Sequence, residues 1–313
     1  MRGTTTLEAL IGRVHMQSRG QYDHVIPVAD IEFESLSKAR IAGKEVDVLP
    51  SAAKLMAARL KVPLPYLERC PASLQAENLN HWIRAEEQNR ETLFCRFSNQ
   101  GLRAVFTDRY TVISHLDVLG AMIENGISAE QEVQFSLDDS MMLVKVPNYE
   151  RTFSVAPRDK IVPGLSAGNS EVGSLAVCIT AYYLRLLCSN GLLAWTPTAA
   201  SRFRHTSRKA LDEFPELLNQ VTAESHRGQA QFMISLQTPV QNPQDTFARL
   251  NNQLGVTRKE AEAVDRAWKL EEGGSMYSVV QAYTRGAQDP SLNVEESMHL
   301  ERVGGQILSM VRQ

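Results

Sequence analysis

The apolar residues change period twice along this chain, and the order of the changes limits the folds open to it. The centre has the pattern of strands. "LFCRFSNQGLRAVFTDRY" sets two extended segments around Asn99-Gln100-Gly101, a hairpin with glycine in its loop. "EVQFSLDDSMMLVKVP" reads as a second hairpin, turning at Asp138-Asp139-Ser140. From Leu175 alternate residues are apolar through Val177 and Ile179, the two-residue period of a strand. From Tyr182 to Cys188 helix and strand periods both fit. The β-branched residues precede Tyr182 and the leucines follow it, so the reading is a continued or second strand ending at Ser189-Asn190-Gly191. Between the hairpins lies one helix, "SHLDVLGAMIENG". Ser114 caps it, Asp117 sits at the capping-box position and Gly126 ends it.

Helical patterns stand on both sides of this centre. In "PSAAKLMAARLKVPLPYLERCP", Ser51 is placed to cap a helix that Pro63 and Pro65 stop, and Tyr66 and Leu67 begin a second one. The pair has the outline of a helix-turn-helix. Its second helix lacks a basic or amide-rich face, so it reads as a plain helical hairpin. "HVIPVADIEFESL" can hold one short strand, and Pro27 argues against a central position. After about residue 200 the chain turns amphipathic, with a Thr257…Glu260 capping box and a Gly304-Gly305 pair that implies close packing in the last helix. The expectation is an α+β fold: a central antiparallel β-rich region, 91–200, flanked by a mainly helical segment, 1–90, and a helical region, 201–313, in one composite domain. Residues 1–50 can belong to the main fold or stand outside it.

The 313 residues carry a formal net charge of -3, so no global basic field draws in nucleic acid, and binding of that kind needs a local patch. Cys70, Cys95, Cys178 and Cys188 form no C-x-x-C pair and no zinc-finger spacing with histidine. They read as buried reduced thiols of a cytosolic protein. The N-terminus lacks the apolar core of a signal peptide, and no run approaches the ~18 apolar residues of a membrane span. A cytoplasmic protein without membrane contact is expected.

"FTDRY" (106–110), "NSEVGSLAV…YLRLLCSNGLL" (169–193), "FRHT" (203–206) and "YSVVQAYTRGAQ" (277–288) follow one another in that order. From about Ser51 to the C-terminus the chain resembles the phage/plasmid-like family catalogued as domain of unknown function 932. The resemblance implies an accessory gene of phages, plasmids or mobile elements. It implies no reaction, and it directs attention to DNA metabolism and host defence.

The residues offer few catalytic arrangements. Cys188 could act as a nucleophile with His205 or His115 as base, but it stands among leucines and reads as a core thiol. "GLSAGNSEVG" is glycine-rich without the Gly-Lys-Ser/Thr of a phosphate loop. No metal-ligand spacing appears, and neither a metal nor a cofactor is expected. A charge at Arg185, inside an apolar run, must point outward, serve a site or find a carboxylate, for which Asp108 and Glu171 are the candidates. The densest positive segment is "SRFRHTSRK". Arg202, Phe203, Arg204, His205, Arg208 and Lys209, with Tyr183 and Arg185 upstream, are the expected nucleic-acid-binding residues: cations attract phosphate and an aromatic ring can stack a base.

Three functions follow, in this order. The first is a non-enzymatic mobile-element protein, expected to be oligomeric, that engages single-stranded DNA in recombination or replication. The second is an interaction protein that modulates a host defence or replication factor through an apolar patch. The third is an enzyme with a dispersed site, with His205, Asp108 and Glu171 as its trio.

Overall fold

The strand periods of the centre become one large antiparallel sheet. The computed structural model describes the chain apart from residues 157–158, 187–189, 194–199, 204, 206, 226–227, 272 and 312–313; at 190–193, 200–203, 210 and 221–225 it describes the backbone alone. The N-terminal part runs β1 (Arg2–Thr6), α1 (Leu7–Ser18), β2 (Tyr22–Pro27), β3 (Ile31–Phe33), β4 (Lys38–Ile41), β5 (Lys44–Asp47), α2 (Pro50–Arg59), α3 (Leu64–Leu67) and α4 (Ala72–Glu87). The centre runs β6 (Thr92–Ser98), β7 (Gly101–Phe106), α5 (His115–Glu124), β8 (Glu132–Leu137), β9 (Met142–Pro147), β10 (Phe153–Ala156), β11 (Asp159–Asn169), β12 (Val177–Arg185), β13 (Asn190–Leu193) and β14 (Ala200–Phe203). Helices α6 (Lys209–Asp212), α7 (Phe214–Ser225), α8 (Gly228–Gln237), α9 (Pro243–Gln253), α10 (Arg258–Glu271), α11 (Met276–Gly286) and α12 (Val294–Met310) follow. The fold is α+β, with antiparallel sheets in the middle and helices at both ends.

The main sheet has the order β1-β8-β9-β11-β12-β13, with β10 beside β11 and β14 beside β12. Alternation sorts its faces. Val133, Phe135, Val144, Ala167, Val177 and Ile179 pack under α1, α5 and α7 through Leu10, Leu119 and Phe214. On the opposite face Leu143, Val162, Tyr182 and Leu184 meet Met298 of α12. Helices therefore lie on both sides of the sheet. At the β12 end, Tyr183 and Ile161 join a third core with Phe232, Tyr277 and Tyr283 of the C-terminal helices.

Residues 26–105 build a core of their own. The sheets β2-β6-β7 and β3-β4-β5 enclose Ile31, Met56, Leu79, Ile83 and Leu93 with helices α2 and α4. The first 50 residues are thus divided. β1 pairs with β8 and α1 packs on the main sheet, whereas β2 to β5 serve the second core. β2 is an edge strand, in keeping with Pro27 at its end.

Local chemistry accounts for several ends. The Ser114–Asp117 capping box forms, as does the Thr257–Glu260 pair before α10. The Asp138 carboxylate accepts from the Ser140 and Met141 amides at 2.8 and 2.9 Å, which closes the β8–β9 turn. Tyr182 to Arg185 continue the strand, as the β-branched residues before them suggest. One cap differs from expectation. α2 starts at Pro50 behind Leu49, without a side-chain cap, and the Ser51 hydroxyl donates instead to the Arg103 carbonyl at 2.6 Å. Among the described residues no helix is long and apolar enough to cross a membrane.

Candidate functional site

The basic segment begins on the sheet edge. β14 sets Arg202 opposite Cys178 and Phe203 opposite Val177 on β12. The side chains of Arg202 and Phe203, and the whole of Arg204, lie outside the described residues, as does Cys188. Arg208 and Lys209 are exposed. Arg208 pairs with Asp117 at 2.8 Å and Lys209 with Glu213 at 3.1 Å.

His205 turns the other way, into the protein. Its carbonyl accepts from the Thr111 amide at 2.7 Å, and its ring stacks on Tyr110 with centroids 5.4 Å apart. Tyr110 in turn stacks on Phe106 at 3.8 Å. His205 is 9% exposed, and neither ring nitrogen has a hydrogen-bond partner among the described residues. Burial pushes it down to about 4, with the Arg96 guanidinium acting in the same direction, so the ring is neutral at neutral pH.

The stack leads to a buried polar cluster centred on Glu171, just beyond β11. Its carboxylate accepts from the His115 amide at 2.8 Å and from Arg103 on β7 at 3.5 Å. Its carbonyl accepts from Arg96 on β6 at 3.0 Å and from the Tyr110 hydroxyl at 3.4 Å. Arg96 also donates to Asp23 on β2 at 2.9 Å. The Asn169 amide donates to the Ile113 carbonyl at 3.1 Å and lies 3.2 Å from His115 Nδ1, while its Oδ1 is buried without a partner among the described residues.

Electrostatics follow from this enclosure. Burial disfavours the Glu171 charge, yet His115 and the two guanidiniums outweigh it and hold the carboxyl below its usual range. Burial pushes His115 down to about 4 against the pull of Glu171. Burial also pushes the Tyr110 hydroxyl up to about 12. Two neutral imidazoles, two guanidiniums and one carboxylate thus share a buried space, and Asn169 Oδ1 and the His205 nitrogens have no partner there among the described residues.

The other sequence candidates stand elsewhere. Arg185 is buried, but its carboxylates are neither Asp108 nor Glu171. It grips Asp159 through two contacts of 2.8 Å and Glu271 at 2.6 Å, beneath the Tyr277 ring. Glu171 lies with Arg96 and Arg103, and Asp108 is on the surface, 3.4 Å from Arg90. Tyr183 is buried edge-on against Phe232 at 5.3 Å. Of the trio His205, Asp108 and Glu171, Glu171 is the centre of the cluster, His205 borders it through Tyr110, and Asp108 stands apart. Cys95 is buried and its thiol is pushed up to about 12, so it is a poor nucleophile. No group of three or more His, Cys, Asp or Glu among the described residues could hold a metal ion. Sequence reading passed over Arg96 and Arg103. The one available signal was charge within strand patterns, at Arg96 between Cys95 and Phe97 and at Arg103 between Leu102 and Ala104.

A family model described as "Domain of unknown function (DUF932)" matches residues 103–297, more than half of the chain. The chain belongs to this family. The matched span contains Arg103, Tyr110, His115, Asn169, Glu171 and His205, and Arg96 lies seven residues before it. No curated protein and no solved structure matches the chain.

Proposed function

We propose that this member of the family binds single-stranded nucleic acid along the segment that leaves the sheet edge at β14, without a cofactor, as an accessory protein of a phage or plasmid in recombination or replication. The observation that carries the reading is the two-sided placement of the segment. His205 pins it to the Tyr110 stack, while Arg208 and Lys209 project into solvent. Arg109, exposed and two residues before the amide bonded to His205, adds a third cation at the same place. The pairs of Arg208 with Asp117 and Lys209 with Glu213 are surface ion pairs worth about 0–1 kcal/mol, weak enough to be exchanged for phosphate. Arg185 and Tyr183 are engaged in the core, and the reading does not use them.

Fluorescence anisotropy of a labelled single strand at low and moderate salt tests it. Binding should weaken with salt. The double variant Arg208→Glu, Lys209→Glu should lose about tenfold or more in affinity and lower the salt slope by roughly 0.7 per lost phosphate contact. Affinity and slope that survive charge reversal, or no binding at low salt, would end the reading.

The open edge of β2 favours a second reading, a protein partner. Tyr22 is 54% and Val25 59% exposed on this strand, and an exposed edge pairs readily with another chain. Capture of one specific host protein, lost on Val25→Lys, would support it.

A further inference from the structure

On the far side of the main sheet from α5, one row is polar across five strands. Thr4 on β1 stands beside Gln134 on β8, Lys145 on β9, Ser166 on β11 and Thr180 on β12. On β9, β11 and β12 this face also carries the apolar Leu143, Val162 and Tyr182. Above the row, α12 presents Ser297 and Glu301. Between them lies a cavity of about 170 Å³, lined by Arg2, Thr4, Gln134, Ser136, Lys145 and Glu301, among others. Arg2 and Thr4 are exposed and form its mouth, whereas Lys145 and Glu301 are 6% and 2% exposed and form its floor.

The floor is chemically incomplete. The Lys145 ammonium donates to Glu301 Oε1, and the Gln288 amide donates to the same oxygen at 3.3 Å. Glu301 Oε2 is buried and has no partner among the described residues. A buried carboxylate oxygen without a donor is rare in native proteins and marks a missing partner. An ammonium carries three N–H groups, and Glu301 Oε1 takes only one. The ion pair that lines the cavity therefore keeps a donor and an acceptor with capacity to spare.

We propose that this cavity binds a small neutral molecule through a cis-amide edge, an N–H next to a C=O, such as the lactam edge of a uracil- or thymine-type base. The ligand N–H would donate to Glu301 Oε2, and its carbonyl would accept from Lys145 Nζ. A neutral ligand suits the site because the Lys145–Glu301 pair is already balanced, and a further buried charge would stand uncompensated. The volume lies below the roughly 300–1,000 Å³ of sites for larger ligands, which limits the occupant to about one ring system. The Tyr182 hydroxyl donates to Gln134 Oε1 at 2.5 Å and fixes that wall. The site is independent of the basic segment. Its ligand can be a free nucleoside or a base of a bound strand, and the two share this edge.

Titration calorimetry of the full chain with uridine, 3-methyluridine and adenosine tests the proposal. Uridine should bind, and 3-methylation, which removes the N–H and leaves Oε2 unpaired, should weaken binding at least about tenfold. Adenosine also sets an N–H beside an acceptor nitrogen, but its two-ring base exceeds a cavity of about 170 Å³ and should bind more weakly than uridine. Glu301→Gln risks misfolding, so the decisive variant is Ser136→Leu, which fills the cavity without touching the ion pair. It should keep the wild-type Tm and lose uridine. A preference for oligo(dT) over oligo(dA) that Ser136→Leu removes would identify the base within a strand; uridine binding without that preference would identify the free nucleoside. The Arg208→Glu, Lys209→Glu variant should bind uridine normally, which separates this site from the proposed strand-binding segment. Failure of folded wild-type protein to bind uridine, or equal binding of uridine and 3-methyluridine, would overturn the proposal and leave the cavity to solvent.

Discussion

At the scale of single residues, His205 is where the costs concentrate. Neither enclosed nitrogen has a partner among the described residues, and the ring is held neutral. The consequence is a pH dependence with a definite sign. Folded His205 and His115 both titrate at about 4, while an imidazole in the unfolded chain titrates near 6.5. Between those values the unfolded chain takes up protons that the folded one refuses. Stability is therefore full above about pH 6.5 and falls as the pH drops towards 4, by on the order of 3 kcal/mol per histidine over the whole window. His205→Phe keeps the stack on Tyr110 and removes both unpartnered atoms. It should raise stability at pH 7 by about 1–3 kcal/mol and flatten the acid slope. Urea midpoints at pH 7 and pH 5 report both, and a slope equal to wild type would show that His205 is not the group that titrates. The sequence marked His205 for its basic neighbours, and the structure gives it a different setting from theirs. Inward or outward direction at a turn depends on what packs over it, and here that is Tyr110, 95 residues upstream.

At the scale of elements, the strands and caps follow rules that act over a few residues, and most were legible. The hairpin loop at Asn99–Gly101, the β8–β9 turn and the Ser114 cap all rest on contacts within four positions of one another. Ser51 is instructive because its local signal lost to a distant partner. Pro50 already occupies the first turn, and the Arg103 carbonyl on β7 takes the hydroxyl. Pairing between elements imposes its own demands. At Gly164 a Cβ would stand 2.1 Å from the Val146 carbonyl oxygen on β9. Gly164→Ala should therefore push β9 and β11 apart and cost at least about 2 kcal/mol by chemical denaturation. A loss below 0.5 kcal/mol would mean that the two strands approach less closely than described. The glycine-rich "GLSAGNSEVG" begins as strand, to Asn169, and Gly164 stands where the neighbouring backbone comes too close for a side chain.

At the scale of the whole molecule, two cores meet at one buried carboxylate. Arg96 and Arg103 belong to the hairpin of the 26–105 unit, and both converge on Glu171 at the end of β11. Glu171→Gln should cost about 3–5 kcal/mol, since it removes the counter-charge of buried guanidinium groups. It should also loosen the join. Amide exchange in β6 and β7 should then outpace exchange in β11 and β12, whereas uniform acceleration across both cores would show that the cluster does not couple them. The sequence by itself determined the α+β class, the two hairpins, the helix between them and the capping boxes, because apolar period and capping act over a few residues. Only the tertiary structure decided which strands are neighbours, that β1 closes one side of the main sheet, and that helices cover both its faces. It alone decided that Arg185 pairs with Asp159 and Glu271, that Glu171 gathers Arg96 and Arg103, and that Lys145 meets Glu301. A buried charge must find its counter-charge in space, and strand order places partners 26 to 156 residues apart in contact, a distance over which no periodicity in the sequence carries information.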